Sequence, residues 1–375
     1  MSLIDPPDRK LRVIVLMGGN SSEREVSLST GKQILLNLDR DKYDVVAFDT
    51  LRLADGIDGI RDLILADFSS SAMSEEETNG RAASIAVSSE TEKNLCKPDI
   101  AFVALHGKVG EDGTIQALLE ILNIPYTFSG VATSALAMDK MFSKKIFANS
   151  SLPIITGLEL AGVEFDDSDE EDFNKYIAPN VAKILGFPVF VKPTSGGSTL
   201  GCALVAKRAD LFEGVTNAWK YDKTVLIEKY VKGVEITVGV LGMAGKDLTV
   251  LPIIEIVPKG AFYDYESKYS DGGSQHVIPA RISEELTALA KEIAVECHNV
   301  LKCSGCSRTD MIVVRNKIYL IETNTIPGMT PTSLLPQAAA AAGISFPELL
   351  DILIDFAWNA ERKRLKRIEK IQKER

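Results

Sequence analysis

In the first third of the chain, short apolar runs alternate with stretches of helical period. LRVIVLMGG (residues 11–19) reads as a buried strand ending in a glycine turn, and the segment from Glu23 to Leu38 then reads as a helix. YDVVAFDT predicts a second strand, DIAFVAL (99–105) a third, and TIQALLEIL (114–122) a helix after it. Strands alternating with helices predict a parallel sheet in an open α/β domain. Between them, SSSAMSEEETNGRAASIAVSSETEKN is polar and rich in Ser and Glu, the composition of a surface insertion.

From about Thr127 the pattern changes. SALAMDKMFSKKIFANS has helical period, FPVFVKP reads as a strand, and CALVA is a strand reached through a glycine-rich loop. VLIEKYV, EITVGVLG and LTVLPIIEIV are further strands, and the helix ISEELTALAKEIAVECHNVL precedes the strands MIVV and KIYLIE. Short strands at hairpin spacing predict mixed or antiparallel sheets of α+β style. AERKRLKRIEKIQKER closes the chain as a charged helical tail, which reads as a solvated helix end.

Composition narrows the function. The 375 residues suffice for two or three domains, and 45% hydrophobic with 25% charged residues describe an ordinary soluble globular protein. A net charge of −10 argues against nucleic acid, whose binders present a basic face, but leaves room for a locally basic pocket. The N-terminal segment lacks the apolar run of a secretory signal, and nothing approaches the ~20 apolar residues of a membrane helix. Five scattered cysteines suit a reducing cytosol. Cys303-x-x-Cys306 has no second pair and no histidines at ligand spacing, so buried thiols are expected rather than zinc or redox chemistry.

The segment Asp310-MIVVRNKIYLI-Glu322-Thr323-Asn324 carries the most chemistry. With Arg315-Asn316-Lys317 as a hairpin turn, equal offsets make Asp310 and Glu322 cross-strand partners on one face, and period two keeps Asn324 there. Two carboxylates and an amide oxygen form a hard-oxygen set that suits magnesium with bridging phosphates. FPVFVKPTSGGSTLG (187–201) places Lys192 at a strand end before a loop whose Gly196 and Gly197 let backbone N–H groups approach an anion. This is no Walker loop, since G-K-[ST] is missing and no helix follows; it reads as a phosphate lid that excludes water. In VLIEKYVKGVE, Glu228, Lys229 and Glu235 flank a Gly233 bend that can serve an adenine edge and ribose hydroxyls, although a charged surface strand fits the same residues. Ser22-x-x-Glu25 fits a capping box, leaving Glu23 near the helix start to meet a substrate ammonium. No dinucleotide fingerprint and no Ser/His/Asp order is present.

Taken together, GGNSSEREVS, ALHGKVGEDGT, MDK, FVKPTSGGSTLG, LIEKYVKGVE, FYDYESKY, SRTD and ETNTIPGMTPTSLLP resemble, in order, the D-alanine–D-alanine ligases of the ATP-grasp superfamily. The resemblance runs from about Leu11 to Trp358. It implies an α/β and α+β chain of three domains, here 1–126, 127–231 and 232–375, with ATP between the second and third. It implies that Lys140 and Lys192 contact the phosphates, that Glu228, Lys229, Val231 and Glu235 surround adenine and ribose, that Thr199 of the lid joins them, and that Phe262 packs on the base. Asp310, Glu322 and Asn324 are implied to hold two magnesium ions, or manganese in their place. Glu23 is implied to bind the ammonium of the first D-alanine, linked to Ser198 and Tyr269. Arg308 and the Gly328 N–H are implied to form the oxyanion site, Ser333 and Leu334 to hold the second D-alanine, and His106 to lie near the first.

The resemblance further implies ligation through an acyl phosphate for cell-wall precursor synthesis, a cytoplasmic homodimer, and no nucleic-acid or membrane partner. Thr309 and Thr323 stand where the family has small apolar residues, and both are expected on the opposite strand face. The lid reads GGSTLG where a second serine is common. Two other readings remain: a D-alanine–D-lactate ligase, which differs in the loop carrying Tyr269, and a regulatory nucleotide-binding protein without turnover.

Overall fold

A strand buried on both faces must be apolar, and VIVLM (13–17) meets that demand, with the half-buried Arg12 at the strand's start paired to Asp99. Leu11–Met17 is β1, the middle of a three-stranded sheet in which β2 (Tyr43–Asp49) and β5 (Ile100–Val103) flank it in parallel. The computed structural model describes residues 9–68, 95–161, 170–197, 200–258 and 274–373; the insertion expected at 69–94 lies outside them. β3 (Ala66–Asp67) and β4 (Leu95–Cys96) pair where that segment leaves and rejoins the domain. The helices of this half are α1 (Arg24–Asn37), α2 (Ile57–Ile64) and α3 (Thr114–Ile121).

Two helix expectations need correction. The helix after β1 starts at Arg24 with Glu23 as its N-cap residue, so Ser22 lies one position too early for a capping box, and no side chain caps the helix. Ser21 instead organises the turn, its carbonyl accepting from Arg24 N–H and its hydroxyl from Glu23 N–H. SALAMDKMFSKKIFANS forms two helices, α4 (Val131–Met138) and α5 (Lys140–Asn149). Asp139 breaks them: its backbone is extended at ψ 105° and its carboxylate accepts from the N–H groups of Met141 and Phe142. A short acid at an N-cap competes successfully with helix continuation.

A four-stranded antiparallel sheet in the order β6-β9-β7-β8 follows: β6 (Gly157–Ala161), β7 (Val189–Pro193), β8 (Ala203–Val205) and β9 (Thr224–Lys229). α6 (Ala178–Ile184) and α7 (Leu211–Trp219) cover it through Val181, Leu211 and Val215, joined by Phe173 from the helical turn that leads into α6. The third sheet runs β13-β12-β10-β14-β15, with β11 on β10. Its strands are β10 (Val234–Met243), β11 (Thr249–Val250), β12 (Ile254–Pro258), β13 (Ser274–Val277), β14 (Ser304–Val314) and β15 (Lys317–Asn324). α8 (Glu284–Val300) packs on one face, and Ala137 and Phe147 of α4 and α5 join the same core. α9 (Leu334–Ala341) leads into α10 (Phe346–Lys373), whose Leu349, Leu350, Leu353 and Ile354 are buried with β1 and β5. The chain's last helix thus returns to its first sheet, where Asp351 accepts from Lys42 and the Tyr43 hydroxyl.

The β14–β15 register joins Asp310 to Glu322, though by another route than a three-residue turn. Val314 pairs with Lys317, so the turn has two residues, with Arg315 left-handed at φ 52°. Met311 pairs with Leu320 and Asp310 with Glu322, which leaves Ile321 as a bulge. A bulge bends its strand and re-aims the side chains beyond it. Thr309 and Thr323 point to the other face, where their hydroxyls meet at 3.1 Å in the core.

Because Asp139 sets the start of α5, an Asp139→Ala variant should lose about 1 kcal/mol of stability in urea unfolding. An unchanged midpoint would show that the cap does not hold this helix.

Candidate functional site

The cleft between the second and third sheets holds a cavity of about 520 Å³, a volume suited to a cofactor-sized molecule. Lys140 comes from α5, Lys192 from β7, Glu228 from β9, Asp310 from β14 and Glu322 from β15, and all five line it. Lys229 and Val231 line its other end, with Glu235 of β10. The sequence-predicted nucleotide and metal residues that are described therefore share one wall system, apart from Asn324, which lines the adjoining niche with Lys140, Gly197, Glu111 and Glu322.

On the third sheet the polar face is dense. Asp310 Oδ1 accepts from Arg308 Nε at 3.0 Å and from the Thr237 hydroxyl at 2.5 Å, while Oδ2 accepts from Arg308 Nη2 at 3.0 Å and Asn324 Nδ2 at 3.2 Å. Lys140 Nζ lies 3.3 Å from Glu322 Oε2 and donates to the Gly196 carbonyl at 2.7 Å, tying this face to the glycine-rich loop. Among the described residues no three His, Cys, Asp or Glu side chains gather as a metal cage. Two carboxylates and one amide fit magnesium, which usually takes few protein oxygens and completes its shell with phosphates and water.

Lys192 and Glu228 are almost fully buried, and sequence reasoning missed their third partner. Glu228 Oε2 contacts Lys192 Nζ at 2.6 Å, and Oε1 contacts Lys144 Nζ at 2.5 Å as an ion pair without hydrogen-bond alignment. Burial works against the Glu228 charge, but Lys192 and Lys144 outweigh it and hold the pKa below the usual glutamate range. Lys144 stands four residues after Lys140 on α5, so the two share a helix face. That i, i+4 spacing was the available signal.

At the end of the cleft nearest the first sheet, Glu23 and Glu111 converge on Gly197. A Cβ there would lie 2.9 Å from Glu23 Oε2 and 3.2 Å from Glu111 Oε2, so a side chain at this position would push on both carboxylates. Glu111, also missed from sequence, accepts the Gly107 N–H at 2.6 Å. Burial and the neighbouring Glu23 raise its pKa to about 8, so it is largely protonated at neutral pH. His106 is buried beside them, its Nε2 3.1 Å from the Thr30 hydroxyl. Burial, then the Arg308 charge, lower its pKa to about 4, leaving a neutral ring.

Ser333 is the N-cap residue of α9 and makes no cap bond with its side chain; its hydroxyl accepts from Thr330 N–H at 3.1 Å. Leu334 opens the helix, and a Cβ on Gly328 would lie 2.8 Å from Ser333 Oγ. The backbone donors of that helix start suit a carboxylate. Ser198, Thr199, Phe262 and Tyr269 lie outside the described residues.

Two family models cover most of the chain: D-ala D-ala ligase N-terminus over residues 12–129 and D-ala D-ala ligase C-terminus over residues 154–355. The D-alanine–D-alanine ligase of Syntrophobacter fumaroxidans is 45% identical over 350 residues, which are 93% of this chain and 98% of that protein. The crystal structure of the Bacillus anthracis D-alanine–D-alanine ligase complexed with ATP matches at TM-score 0.70 and 34% identity, covering 94% of this chain and 99% of that one. VanG D-Ala:D-Ser ligase of Enterococcus faecalis matches at TM-score 0.73 and 29% identity, over 93% and 100% of the two chains. With its three sheets, its paired carboxylates and near-complete matches in sequence and structure, this chain belongs to the D-alanine–D-alanine ligase family.

Proposed function

We propose that the protein joins two D-alanine molecules to D-alanyl-D-alanine for cell-wall precursor synthesis, with ATP converted to ADP and phosphate. The observation that carries this reading is the junction at Gly197. There the loop after Lys192 meets both the Lys140–Glu322 face and the Glu23–Glu111 pair, so a phosphate site adjoins a site for an ammonium. The three domains 1–126, 127–231 and 232–375 supply one wall each, with α4 and α5 of the second packed on the sheet of the third.

In the first step an oxygen of the D-alanine carboxylate attacks the γ-phosphorus and ADP leaves, giving D-alanyl phosphate. Such a transfer is mostly positioning and charge neutralisation. Lys140 and Lys192 bring positive charge to the phosphates, and the lid residues Ser198 and Thr199 cover them. Asp310, Glu322 and Asn324 would hold two magnesium ions, or manganese, which when bound would neutralise charge on the phosphate oxygens. Glu23, with Ser198 and Tyr269, binds the ammonium of this first D-alanine, and the neutral His106 lies beside it. In the second step the other D-alanine gives up its ammonium proton to a base or a phosphate oxygen, its amine attacks the acyl carbon, and the proton lost as the amide forms leaves with the phosphate. Arg308 and the Gly328 N–H face the oxyanion, and phosphate leaves carrying the original carboxylate oxygen. Ser333 and the Leu334 N–H hold the second carboxylate. Lys229, Val231 and Glu235 hold adenine and ribose, with Glu228 beneath and Phe262 on the base.

No helix among the described residues is long and apolar enough to cross a membrane. A cytoplasmic homodimer binding neither nucleic acid nor lipid completes the proposal. A D-alanine–D-lactate ligase would favour the ester product at neutral pH, and a regulatory protein would show no turnover.

Asp310→Ala should lower D-alanine-dependent ADP release at least ~100-fold, as removal of a charge-neutralising ligand does. Undiminished release would overturn the metal assignment. Product analysis with D-alanine alone and with added D-lactate should give the dipeptide in both cases, and a dominant ester would overturn the substrate assignment.

Glu111 also predicts a pH dependence. Its folded pKa of about 8 is raised above the ordinary value of 4.5, so the folded state holds a proton that the unfolded state releases. Its contribution to stability is therefore complete below pH ~4.5 and lost as pH rises towards ~8. Glu111→Gln should flatten the loss of urea resistance across that window, and an unchanged slope would contradict a protonated Glu111.

A further inference from the structure

Lys144 has no part in the chemistry above, yet it is a charged group with only 4% of its surface exposed. It shares Glu228 with Lys192, at 2.5 Å and 2.6 Å respectively. One carboxylate between two ammonium groups leaves the trio with a net positive charge. The two lysines are not equivalent, since Lys192 and Glu228 line the cavity and Lys144 does not. Lys144 reaches Glu228 from α5, behind the cavity wall, one turn beyond Lys140.

We propose that Lys144 is a positioning residue for nucleotide binding: it holds Glu228 from behind so that Lys192 is free to act on an anion in the cavity. The inference rests on the reading of that cavity as the ATP site. A buried charge is stable only with a partner. Were Lys192 the sole counter-ion of Glu228, turning its ammonium towards a phosphate would strand a buried carboxylate. With Lys144 in place, Glu228 keeps a partner, and the surplus positive charge stays on the side where the triphosphate enters. The electrostatics agree with this division. Burial pulls the Lys144 pKa down, against the attraction of Glu228. Lys192 is equally buried, but Glu228 and Glu322 hold it above the ordinary lysine value.

The test is a double-mutant cycle on the full-length enzyme with Lys144→Met and Glu228→Gln, beside a single Lys192→Met variant, read as KM for ATP and for D-alanine. K144M leaves Glu228 paired with Lys192 and should fold. Its KM for ATP should rise ~10-fold or more while KM for D-alanine stays within ~2-fold. Lys144→Arg, which keeps the charge, should restore ATP use to within ~3-fold of the parent. In the Glu228→Gln background, which removes the charge that Lys144 answers, K144M should add less than ~2-fold, because its effect passes through the Glu228 carboxylate. A folded K144M with unchanged KM for ATP, or losses that simply multiply in the double variant, would overturn the inference. Should K144M not accumulate folded, Lys144→Gln takes its place in the cycle with the same expected outcomes. K192M with undiminished ATP use would instead overturn the reading of the cavity, so the two failures are distinguishable.

Discussion

Charged side chains persist in a cleft between two sheets only when each finds a partner, and this constraint orders the molecule. Glu228 is answered by Lys144 and Lys192, Asp310 by Arg308, and Glu322 by Lys140. The partners come from different parts of the fold, so the ion pairs also join α5 and the second sheet to the third. Such pairs contribute little net stability, because desolvation offsets most of the attraction. Their value lies in placing positive charge at the cavity wall while keeping Glu228 ionised.

That arrangement depends on strand register. A slip of one residue in β14–β15 would send Asp310 and Glu322 to opposite faces. The bulge at Ile321 counters the short turn at Arg315-Asn316 and restores the pair. On the reverse face the Thr309–Thr323 hydroxyl bond satisfies two buried polar groups that would otherwise oppose the same register. Small polar residues there are thus compatible with the core, and the site face is undisturbed by them.

Much of this was legible in the sequence, for reasons that particular residues make clear. The parallel sheet followed from continuous apolar runs such as VIVLM, and the Asp310–Glu322 pair from equal offsets about a turn. The turn length and the bulge were not legible, since their two deviations cancel in the offsets. Asp139 was hidden inside a periodic stretch, because periodicity registers apolar faces and is blind to a single cap. Glu111 escaped notice because burial of a charged residue is decided by tertiary partners, and for Lys144 the i, i+4 spacing from Lys140 marked a shared helix face but not its buried partner. β6, α6, α7 and α9, short elements of weak pattern, were likewise unread.

Gly197 adjoins both the Glu23–Glu111 pair and the Lys140–Glu322 face, and in the proposed reaction a carboxylate oxygen crosses that junction. The most direct measurement uses D-alanine labelled with ¹⁸O in its carboxylate, with ATP and magnesium, and reads the isotopic mass of the released phosphate. One ¹⁸O per phosphate for each dipeptide formed is the predicted result. Unlabelled phosphate released alongside dipeptide would contradict an acyl phosphate, and with it the function assigned to this cleft.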